Sequence, residues 1–470
     1  MVKRLVIIGA GPGGYVAALR AAQRGAAVTL VERDLIGGTC LNRGCIPTKA
    51  LLASAEALAR ARAGEEFGFT VQGEIRPDLS RMRERKERVV SRLRSGVETL
   101  LKRAGVEVLQ GTGRLLGPTS VEVALSRDQA GQTVRVEADR VIIATGSEPA
   151  RLPMFDFDHP AILTSTEALD LTEIPASLLV VGAGVIGCEF ASFFAELGTQ
   201  VTMVEMLGQM LPQEDARVAK QFQAVFRKKG IQVLLKTRVE SIVEYGEGWV
   251  TARLSDGSEV RAERVLVSVG RTPNTKGLGL EAAGVETDSR GYIVVDEYLG
   301  TTVPGVYAIG DVNGGLLLAH VASHEGLVAA HNALTDDPGA RRMRDLRSTP
   351  SCTYASPEVA SVGLSEEQAA EAGYEPVVGT YRFAALGKAL ALGEEVGFVQ
   401  IVADKKTDQV LGASMMGPHV TDLIHEVAVA IHSRLTVRQL GETIHAHPTL
   451  AEAVMEAAHE VHGESVHVAH

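Results

Sequence analysis

The feature that most constrains the fold of this chain is a duplication. Residues Leu5-Val6-Ile7-Ile8-Gly9-Ala10-Gly11-Pro12-Gly13-Gly14 lead through an Ala-rich stretch to Val28-Thr29-Leu30-Val31-Glu32. Residues Leu178-Leu179-Val180-Val181-Gly182-Ala183-Gly184-Val185-Ile186-Gly187 lead in the same way to Val201-Thr202-Met203-Val204-Glu205. Both read as apolar strand, G-x-G-x-x-G turn, helix, strand and acid. The last glycine and the acid are equally spaced, 32 − 14 = 18 and 205 − 187 = 18. Gly9 and Gly182 permit the tight turn, Gly11 and Gly184 let backbone approach a pyrophosphate, and Gly14 and Gly187 let helix pack on strand. The pyrophosphate rests at the helix N-terminus, and the acid bonds ribose hydroxyls. One such turn alone is a weak signal. Two copies in full strand–helix–strand context predict two Rossmann units and two dinucleotides. Glu205 repels a 2′-phosphate and no Arg follows it closely, so the second site is expected to favour NAD over NADP.

At 470 residues the chain is too long for one core, and two to four domains are expected. Lys plus Arg is 47 and Asp plus Glu 58, so the net charge is 47 − 58 = −11. An acidic balance argues against nucleic acid as the main partner. No run approaches the length of a membrane span. The first strand begins near Arg4, leaving no room for a targeting peptide, and a cytoplasmic location is expected. Four cysteines in that setting do not form a structural disulfide framework, so a close pair is catalytic or metal-binding.

Such a pair lies in Gly38-Thr39-Cys40-Leu41-Asn42-Arg43-Gly44-Cys45-Ile46-Pro47-Thr48-Lys49. An Ala/Leu-rich helix over 46–62 begins at Cys45, where the dipole and open N–H groups favour a thiolate. The spacing is not the usual C-x₂-C of zinc and no second pair exists, so no metal is expected. Cys188 and Cys352 fall in elements expected to be buried. A charged helix is expected over 80–103, with Val89, Leu93, Val97 and Leu100 at helical spacing and the charges on a solvated face. Short strands follow over 108–145, ending in Val141-Ile142-Ile143-Ala144-Thr145-Gly146, and Pro149 and Pro153 suggest a linker. Strand 265–269 ends in Gly270-Arg271-Thr272-Pro273-Asn274, and strand 305–309 ends at Gly310-Asp311. That Asp either meets a sugar or polyol hydroxyl or caps the next turn. A charged stretch with Pro338 and Pro350 precedes a tail of strands (359–363, 398–402, 409–415) and amphipathic helices (365–372, 421–434, 449–462). The tail carries no glycine fingerprint and reads as a packing or dimerisation domain.

These motifs, with His445-Ala446-His447-Pro448-Thr449-Leu450-Ala451-Glu452, resemble those of the pyridine nucleotide–disulfide oxidoreductases over essentially the whole chain. The resemblance implies an α/β fold with two Rossmann-like dinucleotide-binding domains plus central and α+β interface (dimerisation) domains. The expected divisions are 1–148 for FAD, 149–272 for NAD, 273–346 for a central domain completing the FAD site, and 347–470 for the interface. Within the family the chain is most similar to the branch that oxidises dihydrolipoamide.

The resemblance also implies site residues. Gly9, Gly11, Gly14 and Glu32 would hold the ADP half of FAD, with Gly113 near the adenine and Lys49 near flavin N5. Thr145, Gly146 and Ser147 would line the FAD site, Asp311 would bond the ribityl chain, and Leu317, Leu318, Ala319 and His320 would run along the isoalloxazine. Gly182, Gly184, Gly187, Glu189, Glu205, Val239 and Gly270 would form the NAD site. Cys45 would face the flavin, and Cys40 would exchange with substrate. His447 would take the substrate thiol proton, held by Glu452 and supplied by the other subunit of a homodimer. Lys49, paired with Glu189, would tune the flavin. The implied reaction runs from dihydrolipoamide through the Cys40–Cys45 disulfide and FAD to NAD. The implied partners are lipoyl domains and the acyltransferase core of 2-oxo acid dehydrogenase complexes, or glycine cleavage.

Three other readings are weighed. Glutathione reductase relatives prefer NADP, which Glu205 disfavours. Mercuric reductase relatives carry a cysteine pair near the C-terminus, and residues 462–470 have none. A non-catalytic flavin-bound scaffold would not need intact Cys40, Cys45, His447 and Glu452. Arg43 and Thr48, at variable positions in the family, leave the substrate partly open.

Overall fold

The computed structural model describes residues 2–126 and 130–468. Residues 1 and 127–129 of the expected FAD domain and the last two of the expected interface domain lie outside them. The chain forms two compact units, one from residues 1–51, 80–150 and 270–345, the other from 52–79, 151–269 and 346–470.

The first unit is built on a seven-stranded sheet. Its order is Val306–Ala308, Arg140–Ile143, Arg4–Ile8, Ala27–Glu32, Glu107–Gly117, Ser120–Leu125, Thr133–Glu137. The first five strands are parallel, and the last two add an antiparallel edge. Leu5 to Ile8 are all buried, as a strand covered on both faces requires. Helix α1 (Pro12–Gln23) follows the first strand and packs on helix Ala319–Leu334. Their approach is close enough that a Cβ on Gly326 would lie 2.5 Å from the Gly13 carbonyl oxygen. Helices α2 (Gly38–Arg43) and α3 (Cys45–Arg62) carry the cysteine motif, and α4 (Leu79–Arg103) runs beside them.

The second unit holds a parallel five-stranded sheet in the order Gln232–Leu235, Gln200–Glu205, Ser177–Val181, Arg264–Val267, Ile162–Leu163. A three-stranded antiparallel meander, Val239–Gly246, Trp249–Leu254 and Glu259–Ala262, attaches to it. An antiparallel five-stranded sheet, ordered Ser351–Thr353, Glu358–Gly363, Val410–Gly417, Phe398–Asp404, Pro376–Arg382, is covered by helices Val420–His432 and Glu452–Glu460.

Cys40 sits on its own short helix, and Gly44 separates it from α3. Three local expectations are corrected. The apolar face of α4 is rotated from the expected stripe: Val90 and Leu101 are buried, whereas Leu93 and Leu100 are 44% and 52% exposed. Cys188 is buried as expected, but Cys352 is only half-buried. His447-Pro448 does not start the last long helix. That helix begins at Glu452, because Glu452 itself ties the preceding turn together.

Candidate active site

The two glycine turns repeat each other closely. Gly9 has φ +104° and Gly182 φ +98°, and a Cβ at either would collide with backbone, at 2.3 Å from Ala144 O and 2.6 Å from Ser268 O. A Cβ on Gly14 would lie 1.8 Å from Gly9 O, and one on Gly187 2.1 Å from Gly182 O. Gly11 and Gly184 differ from these. Nothing lies within 4 Å of where their Cβ would be, and each is the N-cap of a helix with no side-chain cap. Open space at an uncapped helix N-terminus is what a pyrophosphate needs, so both turns fit a dinucleotide.

The two acids also repeat. Glu32 accepts the Ala10 N–H at 2.7 Å and the Asp34 N–H at 2.8 Å. Glu205 accepts the Ala183 N–H at 2.8 Å and the Leu207 N–H at 2.8 Å. Each carboxylate therefore ties its glycine turn to the end of the next strand. A carboxylate has lone pairs beyond these two bonds for a ribose hydroxyl.

The remaining residues expected around FAD gather in the first unit. Gly113 lies mid-strand, where a Cβ would meet the Ile8 side chain at 3.1 Å. Gly146 has φ +68° with open space about it. Thr145 donates to Asn274 O at 2.8 Å, and the Asn274 amide returns to Thr145 O at 3.0 Å. The Ser147 hydroxyl donates to Asp311, and Arg271 reaches the Ser147 hydroxyl at 2.6 Å and its carbonyl at 2.8 Å. Arg271 and Asp311 are 3.5 Å apart. Leu317 to His320 run into the uncapped start of helix Ala319–Leu334, with Leu317 exposed. In the second unit Glu189 is buried and accepts the Tyr354 N–H at 3.0 Å. Val239 is buried in an apolar core of the same unit, and Gly270, φ +126°, begins the segment that returns to the first unit. Lys49 belongs to the first unit and Glu189 to the second.

The structure brings Cys40 and Cys45 into side-chain hydrogen-bond contact. That bond, with burial, pushes the Cys40 thiol well above its ordinary range, and the Lys49 charge pulls weakly the other way. Asn42 steadies the motif through Ile36 O at 3.0 Å and Gly38 O at 2.9 Å, and Arg94 of α4 bonds Asn42 Oδ1 at 3.0 Å. Thr48 donates to Gly44 O at 2.6 Å, closing the start of α3.

His447 and Glu452 also meet, Nδ1 to Oε1 at 2.8 Å. His447 is 80% exposed and Glu452 only 16%. The engaged Nδ1 leaves Nε2 as the nitrogen that can take a proton from outside. His445 is buried between Thr443 O and Glu426, both at 2.7 Å. Among the described residues no group of three or more His, Cys, Asp or Glu is placed to hold a metal.

Four residues with no role assigned from the sequence matter locally. Arg271 and Asn274 hold the Thr145–Ser147 segment, and their motif was visible but their distant partners were not. Ser268 bonds Val181 O at 3.0 Å and Gly182 O at 3.2 Å, bracing the second glycine turn. Glu325, 1% exposed, accepts the Gly310 N–H at 2.7 Å and pairs with Arg344 at 2.9 Å, fixing the turn that carries Asp311. A lone acid in an Ala-rich helix was the available signal.

Residues 3–326 match the family model described as pyridine nucleotide-disulphide oxidoreductase, and residues 349–458 match the dimerisation domain of the same family. The chain belongs to the pyridine nucleotide–disulfide oxidoreductase family, whose cofactors are FAD and NAD. It is 43% identical to the dihydrolipoyl dehydrogenase of Bacillus subtilis, with 98% of each chain covered. It is 43% identical to that of Haloferax volcanii, over 98% of this chain and 97% of the other. Among solved structures it is similar to LpdA of Mycobacterium tuberculosis, with TM-score 0.90, 32% identity and 97% and 99% covered. It is also similar to the HOCl-induced flavoprotein disulfide reductase RclA of Escherichia coli, with TM-score 0.86, 30% identity and 97% and 99% covered. No helix among the described residues is long and apolar enough to cross a membrane.

Proposed function

We propose that the chain oxidises dihydrolipoamide to lipoamide with NAD as acceptor. The contact between the Cys40 and Cys45 thiols at the start of α3, in the unit that carries the first dinucleotide turn, supports this reading most. A bound FAD would supply the two-electron redox chemistry that links the dithiol to NAD. Gly9, Gly11, Gly14, Glu32, Ser147 and Asp311 hold the flavin nucleotide, and Gly182, Gly184, Gly187 and Glu205 hold NAD.

In the oxidised pair, a substrate thiolate attacks Cys40 and Cys45 leaves as thiolate. The contact that makes Cys40 keep its proton leaves the negative charge of the reduced pair on Cys45, beside the helix N-terminus. His447 takes the substrate proton on Nε2 while Glu452 holds Nδ1. Both belong to the second copy of a homodimer, built on the dimerisation domain. Lys49 tunes the flavin. The four-domain division at 148, 272 and 346 describes the working parts. The substrate arrives on lipoyl carrier domains of 2-oxo acid dehydrogenase complexes or of glycine cleavage, with docking to the acyltransferase core, in the cytoplasm.

The test is steady-state turnover of the FAD-loaded chain with dihydrolipoamide, glutathione and thioredoxin, each against NAD and NADP. Turnover confined to dihydrolipoamide with NAD is expected. A preference for glutathione or thioredoxin with NADPH would overturn the proposal.

A further inference from the structure

One helical turn behind Glu452 stands a second carboxylate–imidazole pair. Glu456 lies four residues on in helix Glu452–Glu460, so the two side chains share a face. The Glu456 side chain is 5% exposed. Its Oε2 accepts the Ser465 hydroxyl at 2.6 Å, and its Oε1 lies 2.6 Å from His467 Nδ1. Both partners come from the segment after the helix, which turns back over it. That segment is tied elsewhere too: His462 lies 3.0 Å from Asp408, and Arg438 reaches Glu464 at 3.3 Å.

We infer that Glu456 is a positioning residue for the His447–Glu452 pair and that Ser465 and His467 hold it in that role. The inference rests on the reading of His447 as the thiol base. Helix Glu452–Glu460 is short, and Ala451 at its N-cap offers no side-chain bond. Its apolar face, Ala453, Val454, Ala457 and Ala458, sets its depth on the sheet, helped by Gly379, whose missing Cβ would lie 2.1 Å from Ala457 O. Small apolar contacts set depth but resist rotation weakly. The two directional bonds of Glu456 fix the rotation, and with it the direction of Glu452.

Charge adds a second reason. A buried carboxylate without donors is costly, and one turn from Glu452 it would favour protonation of its neighbours. The groups facing this spot are Tyr381 from strand Pro376–Arg382, Glu452 on the same helix, His445 and His447 beyond Glu452, and Ser465 and His467. Burial raises the Tyr381 phenol, and the charges of Glu456 and Glu452 raise it further, so it stays neutral. Ser465 and His467 are the donors that satisfy Glu456 and leave Glu452 ionised against His447.

The experiment compares the full FAD-loaded chain with His467→Ala, His467→Gln and the milder Ser465→Ala. Each is assayed for dihydrolipoamide oxidation over a pH series and for NADH-to-ferricyanide transfer, which does not use His447. His467→Ala is expected to lower kcat for dihydrolipoamide about tenfold, with KM within about twofold and the acid limb displaced to higher pH. Ferricyanide transfer stays unchanged, and His467→Gln, which keeps an N–H donor, recovers most of the loss. Should His467→Ala fail to fold, Ser465→Ala carries the test with a smaller loss of the same pattern. An unchanged kcat and acid limb would overturn the inference, as would equal losses in both reactions. Failure of the proposed function itself is separate, since it shows in the unsubstituted chain as no dihydrolipoamide turnover at any pH.

Discussion

Oε1 of Glu452 lies 2.8 Å from Nδ1 of His447, while its other oxygen accepts the Thr449 N–H at 2.8 Å. One carboxylate thus orients an exposed imidazole and ties the turn that presents it. Substitution of His447 by Ala is expected to slow dihydrolipoamide oxidation by about 10² or more, the usual worth of a positioned base. NADH-to-ferricyanide transfer should keep its rate. Equal losses in both assays would remove His447 from the thiol half-reaction.

The pH behaviour of this pair has a definite sign. Burial raises the Glu452 carboxyl, but the Thr449 N–H and the His447 contact outweigh it and hold the carboxyl below its ordinary value. A depressed carboxyl contributes above the unfolded value and loses that contribution as pH falls through the folded one. Glu452 therefore stays ionised throughout the window from about pH 5 to pH 8. The kcat of Glu452→Gln should therefore lie below that of the unsubstituted chain throughout that window. Convergence of the two near pH 5 would contradict the pairing.

The glycine turns separate folding from binding. Gly14→Ala places a methyl 1.8 Å from Gly9 O and should give protein that does not retain FAD, read from the loss of visible absorbance. Gly187→Ala meets Gly182 O at 2.1 Å and should keep the flavin but lose NAD-dependent turnover. Gly184→Ala meets no protein atom within 4 Å, so it should leave thermal stability unchanged and raise KM for NAD alone. A Gly184→Ala chain with normal KM would mean that the pyrophosphate does not lie there.

Much of this was legible because the signals are local. The strand–turn–helix–strand–acid pattern and the cysteine motif each lie within about thirty residues, and the structure forms both glycine turns and brings Cys40 and Cys45 into contact. What escaped is held by partners far apart in the chain. Arg271 bonds Ser147 across 124 positions, and Tyr354 offers its N–H to Glu189 across 165. The α4 stripe failed for another reason. Its charges leave few apolar residues, so spacing alone could not say that Val90 and Leu101, rather than Leu93 and Leu100, face the core.

Under the proposed function nucleotide choice turns on Glu205, whose oxygens hold the Ala183 and Leu207 N–H groups. Glu205→Ser is expected to raise kcat/KM for NADP about tenfold or more by removing the repelling charge. It should also lower stability by about 1–3 kcal/mol, because two backbone donors lose their acceptor. An unchanged NADP preference with normal folding would show that another residue sets the choice.

The central claim is that Cys40 and Cys45 carry the electrons of dihydrolipoamide. The direct measurement is dihydrolipoamide-to-NAD turnover of Cys45→Ser beside its NADH-to-ferricyanide transfer, with FAD content matched to the unsubstituted chain. The account predicts that thiol turnover falls to background while ferricyanide transfer persists. Dihydrolipoamide turnover at the unsubstituted rate would contradict it.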